Sequence, residues 1–149
     1  MNKREFNPAL ETRRTALSWD KNFKGRLDDI RGSLEAKLSN RELFLLCLAY
    51  GWKAGELPGI PPRATDSARI DALQPNDWVI FNTVAMVHSQ SYEVLSSKDA
   101  VLDIVENYAA GGLKLLSQQV DAVGSLRHFI AQETWPLAKA WKTDDGVMD

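Results

Sequence analysis

Apolar residues recur at helical spacing along most of this chain. Phe23, Leu27, Ile30, Leu34 and Leu38 line one face of a helix. Gly25 and Gly32 weaken that helix, since each costs about 1 kcal/mol relative to Ala in a helix interior. Ser39-Asn40-Arg41-Glu42 is a capping box that starts a second helix. Up to about Tyr50 this helix is apolar nearly all round, which predicts a place at the centre of the core, and Gly51 is positioned to end it. Residues 53–64 hold Gly55, Pro58, Gly59, Pro61 and Pro62 and read as a surface loop. Residues 66–73 predict a short helix. Pro75 opens another, with Asp77 near its positive end. Trp78, Phe81, Val84, Ala85 and His88 form one face of it. Val79, Ile80 and Val87 make the rest apolar too, which predicts a second buried helix.

Ser96 or Ser97 caps the next helix, whose core face is Val101, Ile104, Val105 and Tyr108. Gly111 supplies a left-handed cap that ends it, and Leu113 starts a further helix through Leu116, Val120 and Val123. The stretch Glu106 to Leu113 is therefore expected to be a helix-loop-helix corner. Gly124 bends or splits the chain beyond Val123, and Leu126 and Ile130 continue the helical pattern. A single strand signal stands near the start, where Thr15, Leu17 and Trp19 alternate with Arg14, Ala16 and Ser18. The predicted fold is mainly α, a compact multi-helix domain with a short N-terminal strand. Residues 1–149 read as a single domain. It comprises an irregular arm (1–12), a basic strand and helix (13–39), a helical body (40–141) and a flexible acidic tail (142–149).

Charge adds a polarity to this picture. The net formal charge of −2 excludes a protein that coats nucleic acid by bulk charge. Residues 1–39 carry nine Lys/Arg against six Asp/Glu, a balance of +3, while the remainder carries nine against fourteen, a balance of −5. A basic N-terminal part thus adjoins an acidic body. Cys47, the one cysteine, lies in an apolar run and reads as a buried inert thiol, in keeping with a reducing cytoplasm. The N-terminus is charged and has no apolar core, so no signal peptide is expected. The longest apolar run, Leu43 to Tyr50, is too short to cross a bilayer.

Reactive chemistry finds no footing in these residues. His88, His128 and Cys47 have no ligand spacing, so neither a metal nor a cofactor is expected, and His88 reads as a hydrogen-bonded core residue. There is no Gly-x-Ser-x-Gly elbow and no phosphate loop, and Gly111-Gly112 lacks the further glycine that dinucleotide binding needs. Glu35-Ala36-Lys37, with Asp28 or Asp29 before it, has the acidic and basic types of a metal-dependent nuclease. Its helical setting makes it a solvated face instead. Asp103 and Glu106 share a helix face at i,i+3 and read as surface charge. No catalytic residue is assigned, and the expected activity is binding, not bond making.

The basic stretch resembles a ribbon-helix-helix DNA-binding domain over residues 13–51, with a strand followed by two helices, the second capped at Ser39. That resemblance implies two chains pairing their strands into a ribbon in the major groove. Arg14, Ala16 and Ser18 would face the groove, and Arg13, Arg14, Lys21, Lys24 and Arg26 would supply DNA contacts. An unpaired strand edge would also favour a homo-oligomer.

A second resemblance spans residues 40–116. Arg41-Glu42-Leu43-Phe44 leads to Ala49-Tyr50-Gly51-Trp52, and a Pro/Gly-rich loop and an apolar helix with Val84 to Val87 come next. The corner holding Glu106, Tyr108, Ala109, Gly111, Gly112 and Leu113 completes the pattern. The chain resembles the small proteins that accompany bacterial DNA-phosphorothioation (Dnd) modification and restriction systems. The resemblance implies an accessory, non-enzymatic part in anti-phage defence, with nuclease, ATPase or DNA-modification proteins as partners. It implies no catalytic residues; Glu106, Tyr108, Gly111 and Gly112 become the candidate protein-docking residues. The alternatives are a ribbon-helix-helix-like repressor, or a nuclease subunit using Glu35 and Lys37.

Overall fold

Near the N-terminus, extended backbone meets extended backbone from the middle of the chain. The computed structural model describes residues 14–34, 37–55, 63–64, 68–123 and 126–131. Strand β1 (Trp19–Asp20) pairs antiparallel with β2 (Arg63–Ala64), Trp19 opposite Ala64. The pairing extends backwards through an Ala16–Arg69 bridge, with Leu17 N donating to Ala68 O at 2.9 Å and Ile70 N to Thr15 O at 2.9 Å. Leu17 and Trp19 point into the core as the alternation predicts. Thr15 does not: it is exposed, whereas Ala16 and Ser18, both half-buried, are less so than the alternation requires.

The helices form a mainly α domain, as expected, but their boundaries shift. The helix predicted from Phe23 to Leu38 begins as a 3-10 turn at Lys24–Arg26 and becomes α1 (Leu27–Leu34), which buries Leu27 and Ile30. Helix α2 (Asn40–Ala54) starts where the capping box places it: Glu42 N donates to Ser39 Oγ at 3.2 Å, and Ser39 Oγ donates to Glu42 Oε1 at 3.0 Å. Gly51 does not end it. Gly55 does, in a left-handed conformation at φ +69°, with its amide donating to Gly51 O at 3.1 Å. Of the short helix expected over 66–73, the described residues 68–73 form a 3-10 turn at Ile70–Ala72; residues 66–67 lie outside the described residues. Helix α3 (Pro75–Ser89) opens at Pro75 as predicted, and Gln74 N donates to Asp77 Oδ2 at 2.8 Å.

The largest correction concerns the expected corner. Helix α4 (Lys98–Val123) runs unbroken through Gly111-Gly112 for 26 residues, about 39 Å. Ser97 caps it, accepting from Ala100 N at 3.2 Å. The glycine pair is no cap; among the described residues only Gly55 is a glycine with positive φ. Residues 126–131 are helical again, and Leu126 is buried with its amide donating to Ser33 Oγ at 2.7 Å.

Helices α2 and α4 cross at two glycines. A Cβ on Gly51 would overlap the carbonyl oxygen of Tyr108, and one on Gly112 would overlap that of Cys47. The two backbones therefore touch, and any side chain at either position would hold them apart. Around this crossing lie Phe44, Cys47, Val105, Leu113 and Leu116, all without solvent exposure. Trp19, Phe44, Phe81 and Trp78 form a continuous aromatic run, with successive centroids 5.6, 5.8 and 5.9 Å apart. Lys98 Nζ sits 4.8 Å above the Trp78 ring, and ten residues on in both helices His88 meets Tyr108. Helices α3 and α4 thus run in the same direction.

Candidate functional site

Helix α3 is apolar on both sides but is covered on only one. Trp78, Phe81, Val84 and Ala85 turn to the core. Val79, Ile80 and Val87 remain 63%, 45% and 55% exposed, contrary to the fully buried helix predicted from the sequence. On α2 the corresponding side is Leu45, Leu48 and Trp52. Between the two helices lies an open groove of about 440 Å³ lined by these residues with Val79, Ile80 and Val84. No lining residue is charged. Thr83 also lines the groove, and its hydroxyl donates to Val79 O at 2.7 Å. Exposed branched residues gathered on one helix face, without interspersed charge, mark a surface that gains by being covered.

The helices that wall the groove are fixed at both ends. Arg41 of α2 holds Asp77 of α3 with two hydrogen bonds, Nε to Oδ2 at 2.6 Å and Nη2 to Oδ1 at 2.9 Å. Burial would raise the Asp77 pKa, but the Arg41 bonds and the Gln74 amide outweigh it and hold the carboxyl below its ordinary value. At the other end, Trp52 meets the Tyr108 ring edge-on at 5.1 Å, and the Tyr108 hydroxyl hydrogen-bonds His88 Nδ1 at 2.7 Å. His88 is hydrogen-bonded as expected but is exposed and not a core residue.

The residues singled out for DNA contact are dispersed by the fold. Arg13 and the 1–12 arm lie outside the described residues. Arg14 turns inward onto α4, where it binds Asp103 and donates to Glu106 Oε1 at 2.7 Å, with Asp99 at 3.8 Å. Burial acts to lower its pKa, yet the Asp103 hydrogen bond and the charges of Glu106, Asp103 and Asp99 raise it. Arg26 likewise binds Asp121 on α4 and lies 3.4 Å from Asp29. Lys24 is half-buried and Lys21 is exposed. Asp103 and Glu106 are therefore not mere surface charge: Glu106 is buried at 5% exposure and serves as a counter-ion for Arg14. Their i,i+3 spacing was the available signal, but only a partner distant in sequence gives it meaning.

The candidate docking residues are equally internal. Glu106, Tyr108 and Gly112 are buried, and Gly111 is half-buried within α4. Tyr108 and Gly112 build the α2–α4 crossing and Glu106 holds Arg14, so the surface these residues would present to a partner is small. Glu35 lies outside the described residues; Lys37 and Asp28 and Asp29 are exposed. Cys47 is wholly buried, which pushes its thiol pKa far up and keeps it protonated. Among the described residues no three His, Cys, Asp or Glu side chains are grouped to hold a metal ion. Among them, too, no helix is long and apolar enough to cross a membrane. Comparison with protein-family models, curated proteins and solved structures finds no match to this chain.

Proposed function

We propose that this chain is a non-enzymatic accessory protein of a bacterial, DNA-modification-linked anti-phage system, and that it works in the cytoplasm by gripping other proteins. The observation that carries the binding part is the uncovered apolar face of α2 and α3, with Val79 at 63% exposure beside an uncharged groove. The defence setting rests on the resemblance of residues 40–116 to the Dnd-associated proteins. Protein contact is favoured over DNA contact because Arg14 and Arg26, two of the five candidate cations, already neutralise carboxylates of α4. A repressor of the ribbon-helix-helix kind is disfavoured too, since β1 finds its partner strand within the same chain.

Phage plating tests this reading. Deleting the gene from a strain that carries the complete modification and restriction system should raise plating efficiency, and a Val79→Asp/Val87→Asp copy should fail to restore protection. Unchanged plating on deletion overturns the defence assignment. Duplex DNA binding that weakens steeply with salt would overturn the preference for protein partners.

A further inference from the structure

The uncovered face of α3 is arranged symmetrically about one residue. Val79 and Val87 stand four positions before and after Thr83. Ile80 and Met86 stand three positions either side. At 100° per residue all of these fall within about 120° of the helix surface, opposite the core-facing Trp78, Phe81 and Ala85. Such a face is its own complement under a two-fold axis through Thr83. Antiparallel docking sets Val79 against Val87 and Ile80 against Met86, with each contact made twice.

We propose that the occupant of this face is a second copy of the chain, forming an antiparallel two-fold dimer with Thr83 on its axis. The proposal rests on the apolar face being the binding surface, and it names what covers that face. Charge supports a self-match. The body is acidic, so two copies repel wherever carboxylates meet. The α3 stripe carries no ionised side chain, however, because the helix's one carboxylate, Asp77, is buried against Arg41. Desolvation is cheap as well, since the Thr83 hydroxyl already has an internal acceptor in Val79 O. Trp52 and Leu45 of α2 flank the seam, so two copies would place α2 and α3 of each in a four-helix arrangement. A single-helix patch of several hundred Å² falls short of the roughly 800 Å² per partner of a standard interface. The dimer is therefore weak and concentration-dependent.

Sedimentation equilibrium on the full chain tests this. The average mass should climb from 16.7 kDa towards twice that value between about 1 and about 300 µM. Val79→Asp/Val87→Asp should stay at the monomer mass throughout, with an unchanged far-ultraviolet helical signal. Mild oxidation of Thr83→Cys should give a covalent dimer, since the axis brings the two cysteines together while Cys47 is buried. Val79→Cys should cross-link only when mixed with Val87→Cys. A wild-type chain that stays monomeric at 300 µM overturns the dimer, as does growth beyond two copies or indiscriminate cross-linking. Phage protection by a monomeric wild-type chain would leave the defence reading standing while removing the dimer. A dimer in a chain whose deletion leaves plating unchanged would do the reverse.

Discussion

Gly51 and Gly112 sit where two helix backbones touch, and a methyl group at either has nowhere to go. The atoms that it would meet are main-chain carbonyls of Tyr108 and Cys47, which cannot rotate aside as a flexible side chain could. Gly51→Ala and Gly112→Ala should each destabilise the fold by about 3 kcal/mol or more in urea denaturation, at the upper end of overpacking costs. Gly32→Ala is the internal control. Its Cβ would point into open space within α1, so it should stabilise by about 0.5–1 kcal/mol. Equal effects at Gly32 and Gly51 would show that the crossing is looser than described. Gly51 and Gly111 read from sequence as helix ends, because a local pattern registers only a residue's tolerance for unusual backbone angles. The close approach of a second helix is not written locally.

Ion pairs join elements more than they decorate surfaces. Arg41 clamps the start of α2 to the start of α3 through Asp77, which is 2% exposed. Arg41→Ala leaves that carboxylate with the Gln74 amide alone and should cost about 2–3 kcal/mol. The pair also sets an acid limit. Asp77 ionises in the folded protein below its ordinary value of 3.8. The unfolded chain therefore takes up the proton first as pH falls. The stabilisation is full above about pH 5 and is lost as pH drops through the folded-state value. Urea midpoints between pH 7 and pH 3 should fall less steeply in Asp77→Asn than in the wild type; parallel slopes would dissociate Asp77 from acid sensitivity. Sequence placed Asp77 correctly in the first turn of α3, but nothing in the spacing of Arg41 and Asp77, 36 positions apart, announces the clamp.

At the scale of the molecule, the basic N-terminal stretch and the acidic body neutralise each other. Arg14 spans from the strand region to Asp103 and Glu106, and Arg26 from the 3-10 turn before α1 to Asp121. The charge asymmetry that suggested a nucleic-acid arm is thus in part the two halves of an internal seam. Arg14→Ala should lower stability by about 2–3 kcal/mol, because it leaves Glu106 buried without that counter-ion. Lys21→Ala, at an exposed position, should change stability by less than about 0.5 kcal/mol. If Arg14→Ala proved neutral for stability while abolishing duplex binding, the seam would be incidental and the DNA role restored.

Helix content, the N-termini of α2, α3 and α4, and the core residues Leu17, Trp19, Phe44 and Phe81 were all legible in the sequence. Capping and apolar periodicity act over a few residues, so the local string contains them. Contacts between distant segments were not legible: the pairing of 15–20 with 63–64 and 68–70, the unbroken α4, the glycine crossing and the Arg14 and Arg41 pairs. Each depends on which surfaces meet once the chain has collapsed. The candidate site belongs to this second group. The sequence declares α3 apolar all round, and only the tertiary arrangement, which supplies cover for one side, leaves Val79, Ile80 and Val87 facing outward.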